Sequence, residues 1–316
     1  CKICKNIKDN KTYQVREMMF GFNDIFDYIE CAKCGCLQID TIPDNLQKYY
    51  PGNYYSFNDK QRDNFVISFL KKCHKKYHLT NKSVIGFIFS KFFKEPYYYR
   101  WLKPTNVNFN SKILDIGCGM GKLLLELHLD GFNNLKGIDP FINKDIIYKN
   151  GVSILKKEIH EMKEPFDLIM LNHSFEHMPE PLLVLKLINN LLEKNGCCLI
   201  RIPIASSYAW KKYNVNWVQL DAPRHFFLHT VESIKILCEL SNFYIKDIIY
   251  DSTDFQFWGS EQYLRNISIK SKDSYNGKNT RNSIFTKEQI KKYKQMTEEL
   301  NANKQGDSAC FYLYKS

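Results

Sequence analysis

Ile113-Leu114-Asp115-Ile116-Gly117-Cys118-Gly119-Met120-Gly121-Lys122-Leu123-Leu124 joins a run of β-favouring apolar residues to a run of leucines through three alternating glycines. The first residues suit a buried strand, and Leu123-Leu124-Leu125-Glu126-Leu127-His128 suits a helix. Glycine between them opens backbone angles closed to other residues and lets a ligand lie against the main chain. A glycine turn from a parallel strand into a helix N-terminus forms a cradle at the carboxyl edge of an open sheet.

The spacing is D-x-G-x-G-x-G, not the G-x-G-x-x-G of dinucleotide enzymes. A second acid, Asp139, ends the next apolar strand in Leu135-Lys136-Gly137-Ile138-Asp139-Pro140. A dinucleotide-binding unit or an inert tight turn is the competing reading. The glycine triplet with both acids in register resembles the class I S-adenosylmethionine-dependent methyltransferases. That resemblance implies a cofactor with an amino-acid end and an adenosine. Asp115 would take up the ammonium, directly or through water, and Asp139 the ribose hydroxyls. Ile116, Gly117, Cys118, Gly119, Gly121 and Pro140 would line the same site, with Asn172 and His173 from a later strand end.

From residue 111 onward, apolar strands are expected near 112–116, 135–139, 152–155, 167–171, 197–203, 244–250 and 309–315. Helices are expected near 121–130, 142–149, 159–163, 180–193, 230–241 and 287–301, with a mobile loop over 268–285. Alternation of this kind predicts an α/β fold: a Rossmann-like, doubly wound, mostly parallel seven-stranded sheet. The resemblance implies that the last strand is antiparallel and inserts beside the fifth. Three regions follow: a zinc ribbon over 1–45, a helical linker or cover over 46–110, and the methyltransferase domain over 111–316.

The ribbon rests on Cys1-Lys2-Ile3-Cys4 and Cys31-Ala32-Lys33-Cys34, with 26 residues between them. Two CxxC knuckles on hairpin tips suit one tetrahedral zinc held by Cys1, Cys4, Cys31 and Cys34. Four thiolates leave no open position, so this zinc is structural. Short strands are expected at 13–16 and 28–30, and Cys36 is a spare thiol nearby. The chain has eleven cysteines, several of them single within apolar segments, which suits reduced thiols in a cytoplasm. With 44% hydrophobic and 25% charged residues, the chain reads as a globular protein. No stretch approaches the roughly 20 apolar residues that span a bilayer. The net charge of +11 reads as a lysine-rich surface or as attraction to an anionic partner. Ribbon acids Asp9, Glu17, Asp24, Asp27 and Glu30 weigh against nucleic-acid docking there. Residues 60–103 mix lysines with Phe and Ile, and read as a helical cover for the cofactor or a membrane-surface helix. Tyr55, in an aromatic loop, is a candidate acceptor contact or simply packing.

Two further runs narrow the chemistry. Phe166-Asp167-Leu168-Ile169-Met170-Leu171-Asn172-His173-Ser174-Phe175-Glu176-His177-Met178-Pro179-Glu180-Pro181 resembles the fourth motif of methyltransferases acting on small metabolites and sugars. Asp221-Ala222-Pro223-Arg224-His225 resembles a turn of the same group, many of whose members begin with a four-cysteine ribbon. The resemblance implies an acceptor that is a sugar, a nucleotide-sugar or a similar small metabolite. A hydroxyl acceptor must lose a proton, so a base near neutrality helps. His225, His173 and His177 are the candidates, and Arg224 is placed to hold an acceptor phosphate or to pair with Asp221. The longer sugar C-methyltransferases carry a large domain after the sheet, which weighs against C-methylation here. C- or N-methylation, and a nucleic-acid-associated enzyme, are the alternatives.

Overall fold

The computed structural model describes residues 1–51, 96–277 and 284–316. Tyr55 and most of the expected cover segment lie outside the described residues. At the N-terminus, β1 (Lys11–Arg16), β2 (Ile25–Glu30) and β3 (Leu37–Ile39) form an antiparallel ribbon. A 3-10 turn at Leu46–Tyr49 and α1 (Tyr99–Leu102) are the described parts of the linker.

The main sheet begins at β4 (Lys112–Ile116), followed by α2 (Lys122–Asp130), β5 (Asn134–Ile138), β6 (Ile146–Ile147) and β7 (Ser153–Leu155). The chain then runs through β8 (Phe166–Asn172), α3 (Pro181–Leu191), β9 (Leu192–Pro203) and α4 (Tyr208–Tyr213). It ends with β10 (Phe227–Leu228), α5 (Val231–Leu240), β11 (Phe243–Tyr250), α6 (Phe255–Leu264), α7 (Lys287–Ala302) and β12 (Ser308–Lys315). Sheet order is β11-β12-β9-β8-β4-β5-β7-β6. β9, β8, β4, β5 and β7 are parallel, while β12 is antiparallel to both β9 and β11. Strand progression reverses between β4 and β8, and such a switch point is where open sheets bind ligands. Ile113, Leu114, Leu168, Ile169, Met170 and Leu171 are all buried, as strands covered on both faces must be.

Two expectations need correction. The sheet has eight strands, not seven, and no helix forms over 142–149. Ile146 and Ile147 instead pair antiparallel with β7. Asp145 accepts the Lys156 amide at 2.7 Å and Tyr148 donates to the Met120 carbonyl at 2.7 Å. β-branched residues and an Asp that binds backbone outside its own turn favour the edge strand over the helix. Within the expected loop, Tyr275 is buried; its amide donates to Gln262 Oε1 at 2.6 Å, so this part is packed.

The two sheets are not separate. β10 pairs with β3 and becomes the fourth strand of the ribbon sheet. Tyr28 donates its hydroxyl to the His225 carbonyl at 2.7 Å, and Thr230 donates to the Cys34 carbonyl at 2.5 Å. The ribbon therefore fixes the segment on which the Asp-Ala-Pro-Arg-His turn is carried.

Candidate active site

The glycine turn follows β4, and Gly117, Gly119 and Gly121 all have positive φ. At Gly117 a Cβ would lie 2.6 Å from the Ser174 Cβ, so the turn touches the loop after β8 directly. Ser174 donates to the Ile116 carbonyl at 2.7 Å and locks the two loops together. Asp139 accepts the Gly119 amide at 2.8 Å and the Phe141 amide at 2.9 Å, one on each oxygen. Each oxygen keeps a lone pair, so the carboxylate can still receive two hydroxyls. Asp115 is buried, with no hydrogen bond to its side chain among the described residues. Burial, and then the charge of Asp139, push its pKa up to about 7. A buried carboxyl of this kind lacks a cation, and an ammonium would supply one. Ile116 is core, Pro140 follows Asp139 at the strand end, and Cys118 has its thiol pushed well above its usual value by burial.

Asn172 and His173 end β8, where Arg201 of β9 donates to both Asn172 Oδ1 and His173 Nε2. Arginine is only a donor, so His173 Nε2 must accept and its proton sits on Nδ1. Nδ1 in turn lies 3.5 Å from Glu176 Oε1. With Nε2 accepting from Arg201 and Nδ1 already carrying its proton, His173 has no lone pair left to take another. The expectation that it can serve as a base is corrected accordingly: Arg201, which carries no motif of its own in the sequence, decides its tautomer.

Glu176, His177 and His225 come together, with one ligand atom from each lying within 4.8 Å of the others. His177 Nδ1 donates to the Arg224 carbonyl and His225 Nδ1 to the Gln219 carbonyl, both at 2.7 Å. In its neutral form each ring therefore keeps a lone pair on Nε2. His225 Nε2 lies 3.9 Å from Glu176 Oε1 and 3.8 Å from Asp221 Oδ2. Burial acts to raise the pKa of Glu176, but contact with His173 and the charges of His177 and His225 outweigh it and set it at about 2. Burial, and then the charge of His225, lower that of His177.

Arg224 has its donors taken up within the protein. It is wholly buried, donating to Asp221 at 2.6 and 3.0 Å, to Glu17 at 2.9 Å and to the Tyr49 carbonyl at 3.0 Å. Of the two expected roles, pairing with Asp221 is the one seen, and the residue is also the pin joining ribbon, linker and turn. Burial works against its charge, yet Asp221 and Glu17 raise its pKa further above the usual guanidinium value. At the ribbon tip, the sulfurs of Cys1, Cys4, Cys31 and Cys34 lie within 4.8 Å of one another, with Cys1–Cys34 at 3.7 Å and Cys4–Cys31 at 3.4 Å. A tetrahedral zinc with 2.3 Å bonds sets its sulfurs about 3.8 Å apart. The donor set and spacing fit that ion. Cys36 stays outside, with its thiol on the Leu37 carbonyl.

A family profile described as a methyltransferase domain matches residues 65–247, more than half of the chain. The chain belongs to this methyltransferase-domain family. The glycine turn, Asp139 and the loop after β8 all fall within the matched segment. Among related sequences, EEF1A lysine methyltransferase 2 of Danio rerio is 34% identical over 71 residues, covering 21% of this chain and 30% of that protein. The Homo sapiens counterpart is 34% identical over 67 residues, covering 20% of this chain and 28% of that protein. This methyltransferase-domain chain thus aligns with less than a third of the length of those relatives. Among solved structures, the apo form of the mycolic acid cyclopropane synthase CmaA1 is 13% identical, covers 78% of this chain and 99% of its own, and has a TM-score of 0.44.

Proposed function

We propose that the protein transfers a methyl group from S-adenosylmethionine to a hydroxyl of a small acceptor: a sugar, nucleotide-sugar or glycan precursor. The observation that carries this is the junction of two loops at the β4–β8 switch point. One offers the glycine cradle with Asp115 and Asp139; the other offers Glu176 and His177, with His225 beside them. When bound, S-adenosylmethionine supplies an electrophilic methyl group on its own sulfonium. The chain's part is to hold the acceptor in line, exclude water and take up a proton. A cluster of lone pairs at His177, His225 and Glu176 suits a donor such as a hydroxyl. The sugar class is supported by the motif resemblance alone. The four cysteines at the ribbon tip hold one structural zinc in this reading. The described cysteines form no disulfide, in keeping with a reducing, cytoplasmic setting.

Methyl-tritiated donor offered with a panel of free sugars, nucleotide-sugars and a protein lysate tests the acceptor. O-methylated small product is expected; label confined to protein lysine would overturn the proposal. Similarity to the lysine methyltransferases, over about a fifth of the chain, favours that second reading, N-methylation of a protein lysine.

Cofactor binding carries its own predictions. Asp139→Ala should weaken S-adenosylmethionine binding by about 1.5–3 kcal/mol per charged hydrogen bond lost, measured by calorimetry. Undiminished affinity would remove the ribose assignment. Asp115 titrates near 7 in the folded protein against an unfolded value of 3.8. The folded state therefore holds an extra proton across that window, and unliganded stability falls as pH rises through it. An ammonium beside Asp115 favours the anion, so binding below about pH 7 should release a proton and tighten as pH rises. Calorimetry near about pH 6 in buffers of different ionisation enthalpy should show that release, and Asp115→Asn should abolish it.

A further inference from the structure

We infer that Glu176, His177 and His225 form a second metal site, one for a divalent transition ion of the zinc or iron(II) class. The ligand atoms of the three residues lie within 4.8 Å of one another. Glu176 is fully buried, and the donor facing it, His173 Nδ1, stands 3.5 Å from Oε1 outside hydrogen-bond geometry, so neither carboxylate oxygen accepts a hydrogen bond among the described residues. An ionised carboxylate so placed is costly unless a cation meets it. When neutral, the two imidazoles hold their protons on Nδ1 and supply no hydrogen bond through Nε2. His177 gives that proton to the Arg224 carbonyl and His225 to the Gln219 carbonyl. Backbone carbonyls in this position are how proteins fix the tautomer and aim of metal-binding histidines. With the His173 N–H too far to answer the carboxylate, these three ligand groups suit one positive centre, and two histidines with one carboxylate suit zinc or iron(II).

The site differs from the ribbon in kind. Four thiolates close the coordination of a zinc, whereas two nitrogens and a carboxylate leave positions open. Glu17 pins Arg224, whose carbonyl aims His177, and Tyr28 of the ribbon holds the His225 carbonyl, so both histidines are pre-placed. Asp221 stands 3.8 Å from His225 Nε2 but is bound to Arg224 through both oxygens, so it is not counted among the ligands. Ion binding at this site does not depend on the acceptor class; only its use rests on the proposed hydroxyl methylation. An acceptor hydroxyl on an open position would lose its proton to water more readily. Its oxygen then takes the methyl carbon as the carbon–sulfur bond breaks towards sulfur.

Metal counting on the full chain tests the site without recourse to activity. Protein stripped of metal and reloaded with excess cobalt(II), then desalted, should hold two ions per chain by elemental analysis. One should show thiolate charge-transfer absorption and the other only weak visible bands. Glu176→Gln and His225→Ala should each hold one ion and keep the thiolate absorption unchanged, which also shows that the ribbon is folded. A wild-type count of one with thiolate absorption, or a count of two that both variants retain, overturns the second site. A count of one without thiolate absorption supports it and removes the ribbon zinc instead. Two ions in a protein that methylates no hydroxyl would sink the acceptor reading and leave the metal site standing.

Discussion

Arg224→Ala should destabilise the protein by roughly 3–5 kcal/mol, the usual cost of stranding a buried charge. The guanidinium has no exposure and divides its donors between Asp221, Glu17 and the Tyr49 carbonyl. It also stands 5.3 Å from the centre of the Phe20 ring. Truncation leaves two buried carboxylates facing each other with no cation. Glu17 keeps the amides of Phe20 and Phe22 at 3.0 and 2.9 Å, so part of its charge remains answered. Asp221 loses its main counter-charge. In the wild type, burial raises the pKa of Asp221 but Arg224 outweighs it, and the net shift is downward. A depressed carboxylate contributes stability above its unfolded pKa and loses it as pH falls through the folded one. In the variant, Asp221 should instead take up a proton more readily. The gap between wild type and variant should be widest near neutrality and narrow as pH falls towards about 4. Arg224→Lys should recover little, because one ammonium cannot reproduce the two-pronged contact with Asp221. Urea denaturation across pH measures all of this. A gap below about 1 kcal/mol at neutral pH would mean that the network is not the pin described here.

Most of the main sheet could be read in the sequence because its strands are buried on both faces and so show as unbroken apolar runs. Seven runs gave strands within a residue or two at most ends, with β9 beginning earlier, and the glycine spacing marked the turn after β4. What escaped notice depended on long-range partners. β6 and β10 have two residues each, too short to show a period, and exist because β7 and β3 offer edges. α6 carries Gly259 in its middle, which costs about 1 kcal/mol in a helix and hides the pattern. A Cβ there would lie 2.8 Å from both Val218 and Phe255, so tertiary packing requires the glycine. The histidines could be named but not sorted. Whether His173 holds a proton on Nδ1 depends on Arg201, 28 residues away, and the fate of Arg224 depends on Glu17 at the far end of the chain. A single buried acid at the end of a ribbon strand looks, in sequence, like any solvated glutamate.

Loss of the proposed ribbon zinc should cut turnover sharply while leaving S-adenosylmethionine affinity largely intact. A structural zinc site of this size supplies about 10–16 kcal/mol of folding free energy, more than three short strands can replace. Without it β1, β2 and β3 have little core, and β3 is the only sheet partner of β10 among the described residues. Their loss frees Phe227 and Leu228, the Tyr28–His225 contact, the Thr230–Cys34 contact and the Glu17 side of Arg224 together. His225 then has no fixed position opposite Glu176. The glycine turn belongs to the other sheet and is held by Ile138, Asp139 and Ser174, none of which the ribbon touches in these contacts. Turnover should fall by about 10²–10⁴-fold, the usual worth of a placed acid–base group. Cys34→Ser is the cleaner variant, since chelation strips every ion at once while the serine leaves the histidine donors in place. Hydrogen exchange should show residues 1–39 and 221–230 losing protection as one unit. Exchange confined to the ribbon, with 221–230 still protected and turnover preserved, would show that the shared sheet does not couple the zinc to the catalytic turn.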